Sequence, residues 1–217
     1  MTIAAAIERS PTHLEAEAAP TGPRPRTWDR DEFARMAEIG LFEGQRAELI
    51  EGEIVVDSPQ GAPHSSRLGS AYVTLHNSGW AGVWFRMQLP LALGPRSEPE
   101  PDISVVIGSP RDYRTAHPTT ALLVIEVADS SAAFDRTRKA SLYAAHGVPD
   151  YWMLDVIGGK LEVRRDPRPD PSQPSGHAYA SVQVLGPGDA IAPVAAPEIR
   201  LAVADLLGED EPPRPAQ

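Results

Sequence analysis

Leu122-Leu123-Val124-Ile125-Glu126-Val127-Ala128 is the stretch whose reading decides the fold. A strand with one wet face alternates apolar and polar residues, whereas this one is apolar on both faces apart from a single acid. That pattern belongs to a central strand covered on both sides. Glu126 is expensive in such a place unless a cation, a donor or a metal compensates it. Two compensations are open: an arginine such as Arg136 or Arg138, or a metal ion.

Working upstream, Pro101-Asp102 opens a second apolar strand, DISVVI, 24 residues before Glu126. That separation fits a strand, a loop and a neighbouring strand, so pairing would bring Asp102 and Glu126 to one end of a sheet. Otherwise Asp102 is an ordinary turn residue. The run VWFRMQLPLAL alternates, with Val83, Phe85, Met87, Leu89 and Leu91 on one face and Gln88 on the other, within reach of the same end. A helix runs from about His64 to His76, with Leu68, Ala71, Tyr72 and Leu75 at helical spacing. His64 is read as a neighbour of the helix cap rather than as a metal-shell residue or phosphate contact. Before it, AELIEGEIVVDSP is a strand pair turning near Gly52, and Asp29 caps a short helix that ends at Gly40.

Downstream, Ser131 or Asp135 begins a helix that reaches His146 and stops at Gly147, with Pro149 just beyond. DYWMLDV and KLEVRR are two strands joined through Gly158-Gly159, and residues 166–176 form a Pro-rich loop. Helix, three strands, helix and strand pair make an α/β domain over residues 28–208, with a central mixed β-sheet flanked by helices. Residues 1–27, rich in Ala and Pro, read as a disordered arm, and 209–217 as a disordered acidic tail.

Composition narrows the chemistry. The 217 residues contain no cysteine, which excludes disulfides, thiolate metal sites and cysteine nucleophiles. No run approaches the ~20 apolar residues of a membrane span. Glu8, Glu15 and Glu17 interrupt any secretory signal, so a cytoplasmic protein is expected. The net charge of -10 is concentrated at the edges: residues 28–58 carry -6 and 205–217 carry -3, leaving 59–204 nearly neutral. Acidity on this scale opposes tight non-specific binding of nucleic acid but permits a local site.

Lysine is scarce, with only Lys139 and Lys160 against 18 arginines. Lys160 sits in a plain turn. Lys139 shares a predicted helix face with Leu142, Tyr143 and His146, which draws its stem towards the sheet. It also lies four residues after Asp135, so a surface ion pair worth only ~0.3–0.5 kcal/mol is the simpler alternative. Two close carboxylates suit Mg²⁺ or Mn²⁺, which take oxygen ligands and keep several waters. A lysine beside them can neutralise a phosphate.

Taken together, Pro101-Asp102, Leu123-Val124-Ile125-Glu126-Val127, Asp135-Arg136-Thr137-Arg138-Lys139 and Tyr143-Ala144-Ala145-His146-Gly147-Val148-Pro149-Asp150-Tyr151-Trp152 resemble the Uma-type putative restriction endonuclease family of the PD-(D/E)XK nuclease superfamily. Glu48-Leu49-Ile50-Glu51-Gly52-Glu53-Ile54 and Pro63-His64 fit the same resemblance, which spans roughly residues 28 to 207. It implies a restriction-endonuclease-like core, with Asp102 and Glu126 as metal ligands and Glu48 as a third carboxylate. The namesake lysine should stand at residue 128, where this chain has Ala; the resemblance makes Lys139, from the following helix, its substitute. The expected function is a metal-dependent endonuclease acting on DNA, with a non-catalytic DNA- or protein-binding module as the alternative. A homodimer is expected, because one site per chain cuts both strands most simply in a two-fold pair.

Overall fold

The computed structural model describes residues 22–129 and 131–208. The expected arm up to residue 21 and the whole of the expected tail lie outside the described residues. The first helix, α1 (Arg30–Glu38), begins where the sequence predicts. Asp29 accepts from the Glu32 amide and Glu32 returns the bond, a complete capping box. Strands β1 (Arg46–Ile50) and β2 (Glu53–Asp57) form a separate antiparallel hairpin. Its turn has Glu51 and Gly52 both at positive φ.

Helix α2 (Ala62–His76) has a proline in its first turn and buries Leu68, Ala71 and Leu75. It precedes the main sheet of β3 (Val83–Met87), β4 (Ile103–Ile107), β5 (Leu123–Ala128), β6 (Asp150–Asp155), β7 (Lys160–Pro169) and β8 (His177–Leu185), which stand side by side in chain order. All neighbours are antiparallel except β5 and β6, which are parallel. Parallel neighbours need a crossover. It is a helix in three pieces: α3 (Ala132–Phe134), a π-helical turn (Asp135–Lys139) and α4 (Ala140–Ala145). A short α5 (Val203–Leu207) follows the small pair β9 (Ala190–Ile191) and β10 (Leu201–Ala202).

Two apolar layers hold these elements. On one face Leu68, Leu75, Val203 and Leu206 pack on Ile103, Ile125, Trp152 and Leu154. On the other, Leu142 and Tyr143 pack with Val124, Tyr151, Leu91 and Ile50. The strand that carries Glu126 is buried along its whole length, as its composition requires.

Two local expectations fail for physical reasons. The alternation from Val83 does not continue to Leu91, because Gln88 takes φ 48 and ends the strand. Leu89 is left exposed, and Leu91 joins the layer opposite Phe85 and Met87. The Pro-rich segment is not loop throughout, since β7 continues to Pro169. Its partner β6 stops pairing at Arg165, so 166–169 bond only to β8. Prolines are tolerated on that open edge because no ladder bond is asked of their nitrogens there.

Asp150, fully buried at the start of β6, ties the far end of the sheet together. It accepts from Arg165 Nε at 2.9 Å, Trp152 Nε1 at 2.6 Å and the Val194 amide at 2.8 Å. Asp150→Ala is expected to lower unfolding free energy by about 3 kcal/mol, the low end for breaking a buried ion pair, since Arg165 keeps some contact with water. Urea denaturation measures this, and a loss under about 1 kcal/mol would show the network to be dispensable.

Candidate active site

Antiparallel pairing of β4 with β5 sets Ile103 against Ile125. One residue further along that register, Asp102 stands opposite Glu126. The two are stitched reciprocally: the Asp102 amide donates to Glu126 Oε2 at 3.3 Å, and the Val127 amide donates to Asp102 Oδ2 at 2.9 Å. Both side chains are buried. Neither arginine proposed as partner for Glu126 is near enough to serve. Arg136 pairs with Glu162 and Asp155, and Arg138 with Glu51 and Glu53.

The cation that meets Glu126 is Lys139. Its Nζ lies 3.1 Å from Glu126 Oε1 and 3.2 Å from Glu48 Oε1, with the lysine only 5% exposed. A surface pair with Asp135 is therefore not what this lysine forms. The π-turn ends at Lys139, and both Asp135 and Lys139 are buried on the sheet side of the helix. Tyr143, one turn on, donates its hydroxyl to Glu126 Oε1 at 2.8 Å.

Glu48 is buried rather than solvated, at the inner face of β1. Its Oε2 has no hydrogen-bond partner among the described residues. His64, read from sequence as a cap neighbour, instead places Nε2 3.1 Å from Asp102 Oδ2. Gln88 reaches Asp102 Oδ1 at 3.2 Å, joined by Gln60 at 3.4 Å. Asp135, Gln60 and the Tyr143 hydroxyl were not singled out for this site by sequence. Only the spacing of Asp135 and Tyr143 from Lys139, four residues either way, carried a signal for them.

The electrostatics follow from crowding. Burial raises the Glu126 pKa well above the usual carboxylate value; Lys139 opposes that, while Asp102, Asp135 and Glu48 add to it. Burial likewise raises Glu48 and Asp135. Burial works against the charge of Lys139 too, but Glu126, Glu48 and Asp135 outweigh it and hold the ammonium firmly protonated. Asp102 behaves differently: burial would raise it, yet the His64 contact, the Val127 amide and Gln88 together bring it below its ordinary value. Three buried carboxylates, Glu126, Glu48 and Asp135, thus crowd one lysine, and burial pushes all three towards the neutral form. A cleft of about 270 Å³ opens on this group, lined among others by Asp102, Glu126, Asp135, Lys139, His64 and Arg46.

The donor set is all carboxylate oxygen, the chemistry hard divalent cations prefer, and the buried Glu48 Oε2 has no hydrogen-bond partner among the described residues. In that respect the residues fit such an ion. Among the described residues, no group of three or more His, Cys, Asp or Glu side chains is placed to hold a metal ion.

A family model described as Uma2, putative restriction endonuclease, matches residues 30–204. The chain belongs to the Uma2 family. Its fold is also that of a solved structure, a putative nuclease belonging to DUF820 from Anabaena variabilis ATCC 29413. The two share a TM-score of 0.61 and 21% identity over 85% of this chain and 98% of the other. No curated protein matches the chain. Among the described residues of this Uma2 protein, no helix is long and apolar enough to cross a membrane.

Proposed function

We propose that this Uma2 protein is a metal-dependent endonuclease that hydrolyses phosphodiester bonds of DNA. The observation that carries the reading is the burial of Asp102 and Glu126 side by side in the wall of one cleft, with Lys139 between Glu126 and the buried Glu48. Such a cluster of acids is unfavourable for folding alone; family membership supports a nuclease role for it.

Asp102 and Glu126 would hold the ion, Mg²⁺ or Mn²⁺, with Glu48 as a third carboxylate. With so few protein ligands, water would complete the shell, which is how Mg²⁺ is usually held. A divalent cation there supplies charge against the phosphate and makes water a stronger acid at neutral pH. Tyr143 fixes the rotamer of Glu126 through its hydroxyl. Lys139 stays protonated among the acids and offers a compact ammonium, whose three donors can serve a phosphate oxygen as well as the carboxylates.

One feature favours the alternative of a module that binds without cutting. Ala128 stands where the namesake lysine would be, and Lys139 is already engaged by two acids. Supercoiled plasmid with Mn²⁺ separates the two. The endonuclease reading expects cleavage that EDTA abolishes and that Asp102→Asn lowers about 10²-fold or more, as loss of a charge-stabilising group does elsewhere. A homodimer would yield linear product early, whereas a monomer would accumulate nicked circles first. Wild-type protein that binds DNA yet leaves plasmid intact in Mn²⁺ and Mg²⁺ would sink the enzyme reading and leave the module.

A further inference from the structure

The carboxylate of Asp102 is held unequally at its two ends. Oδ2 receives the Val127 amide at 2.9 Å and His64 Nε2 at 3.1 Å. Oδ1 receives only two side-chain amides, at 3.2 and 3.4 Å, from Gln88 and Gln60. Those contacts are at the long end for N–H···O bonds. The Gln88 amide also has a closer acceptor, Gln60 Oε1, at 3.0 Å. One oxygen is therefore anchored, and the other is loosely engaged by groups that can bond to each other instead.

We propose that His64 is the positioning residue for Asp102: with the Val127 amide it anchors Oδ2 and leaves Oδ1 as the oxygen that meets a divalent cation. The assignment rests on the metal-dependent reading above. Ligating carboxylates are characteristically fixed by a hydrogen bond to the oxygen that faces away from the ion, and removing such a partner costs about 10–100-fold in affinity.

His64 is suited to the task by where it sits. It lies in the first turn of α2, just after Pro63, whose fixed φ preorganises the helix start. The 15-residue helix is pinned to the sheet through Leu68, Ala71 and Leu75, so the imidazole is presented from a rigid element. An ionised Asp102 can only accept, so Nε2 carries the proton and donates. His64 Nδ1 is buried with no hydrogen-bond partner among the described residues, so Nε2 makes the ring's only protein hydrogen bond there. Packing alone does not require an imidazole here.

The test is Mn²⁺ binding to the full chain, followed by electron paramagnetic resonance, with thermal unfolding on the same samples. His64→Gln keeps a side-chain N–H donor of similar reach, while His64→Phe fills the space without one. The expected result is Mn²⁺ affinity lowered about 10-fold or more in His64→Phe and within about threefold of wild type in His64→Gln. Where cleavage is followed, the His64→Phe loss should fall on kcat, with KM for DNA unchanged. Equal affinity in His64→Phe and wild type overturns the assignment, as does an equal loss in both variants that tracks their Tm. Wild-type protein that is folded yet binds no Mn²⁺ overturns the metal reading and takes the assignment with it.

Discussion

Lys139→Ala should destabilise the protein by about 3–5 kcal/mol, the range for removing one partner of a buried ion pair. The lysine is the cation that both Glu48 and Glu126 contact, and all three side chains are buried. Lys139→Arg separates that structural debt from chemistry. Arginine keeps the charge, but its larger planar head must fit a place shaped for an ammonium, which costs about 1–3 kcal/mol as overpacking does. The fold should survive, and cleavage should fall on the order of 10²-fold or more, as when a donor to the transition state is withdrawn. Urea unfolding and plasmid cleavage on one preparation read both quantities. Wild-type cleavage by Lys139→Arg would leave Lys139 a purely structural counter-ion.

Glu126→Gln should have the largest effect on cleavage, a loss of about 10³-fold or more, because an ion's charge stabilisation is worth several kcal/mol and each factor of ten is 1.36 kcal/mol. The substitution keeps shape and removes charge. It also sets an amide NH₂ among the Lys139 ammonium, the Tyr143 hydroxyl and the Asp102 amide, all of which donate to Glu126. Some stability is therefore lost, and near-ultraviolet circular dichroism must show the variant folded before its rate is read. Cleavage above about a tenth of the wild-type rate would remove Glu126 from the reacting centre, since loss of even one oriented donor costs more.

Much of this arrangement was legible in the chain. The two-sided apolar run around Glu126 fixes a central strand, and the strand-loop-strand spacing to Asp102 predicts their meeting. The observed register, with residue 103 against 125, bears that out. The helical phase of Lys139 with Leu142 and Tyr143 likewise foretold which way its stem turns, and the helix does bury it. What sequence could not supply were contacts between elements far apart in the chain. Glu48 lies 91 residues from Lys139, and nothing local distinguishes it from the solvated acids around it. His64 looks like any residue near a helix start until α2 is laid beside β4. The backbone of Gln88 was illegible for another reason: glutamine has no special preference for positive φ. Only tertiary constraints, its amide bonded to the Asp102 carbonyl and Arg86 bonded to the Pro90 carbonyl, hold the chain in that turn.

The crossover helix with its single π-turn has a wider meaning. The ammonium that faces Glu126 arrives from a different secondary-structure element, 13 positions along the chain, instead of two positions along the same strand. On the endonuclease reading, then, the cation is delivered from the crossover helix rather than from the strand that carries the acid, and a one-residue widening of a helix is a small adjustment by which such a side chain is aimed. A search for such sites that insists on a fixed interval between acid and lysine will pass over proteins like this one. A search that begins from a carboxylate stranded in an otherwise apolar central strand, and then asks which cation the next helix can deliver to it, will not.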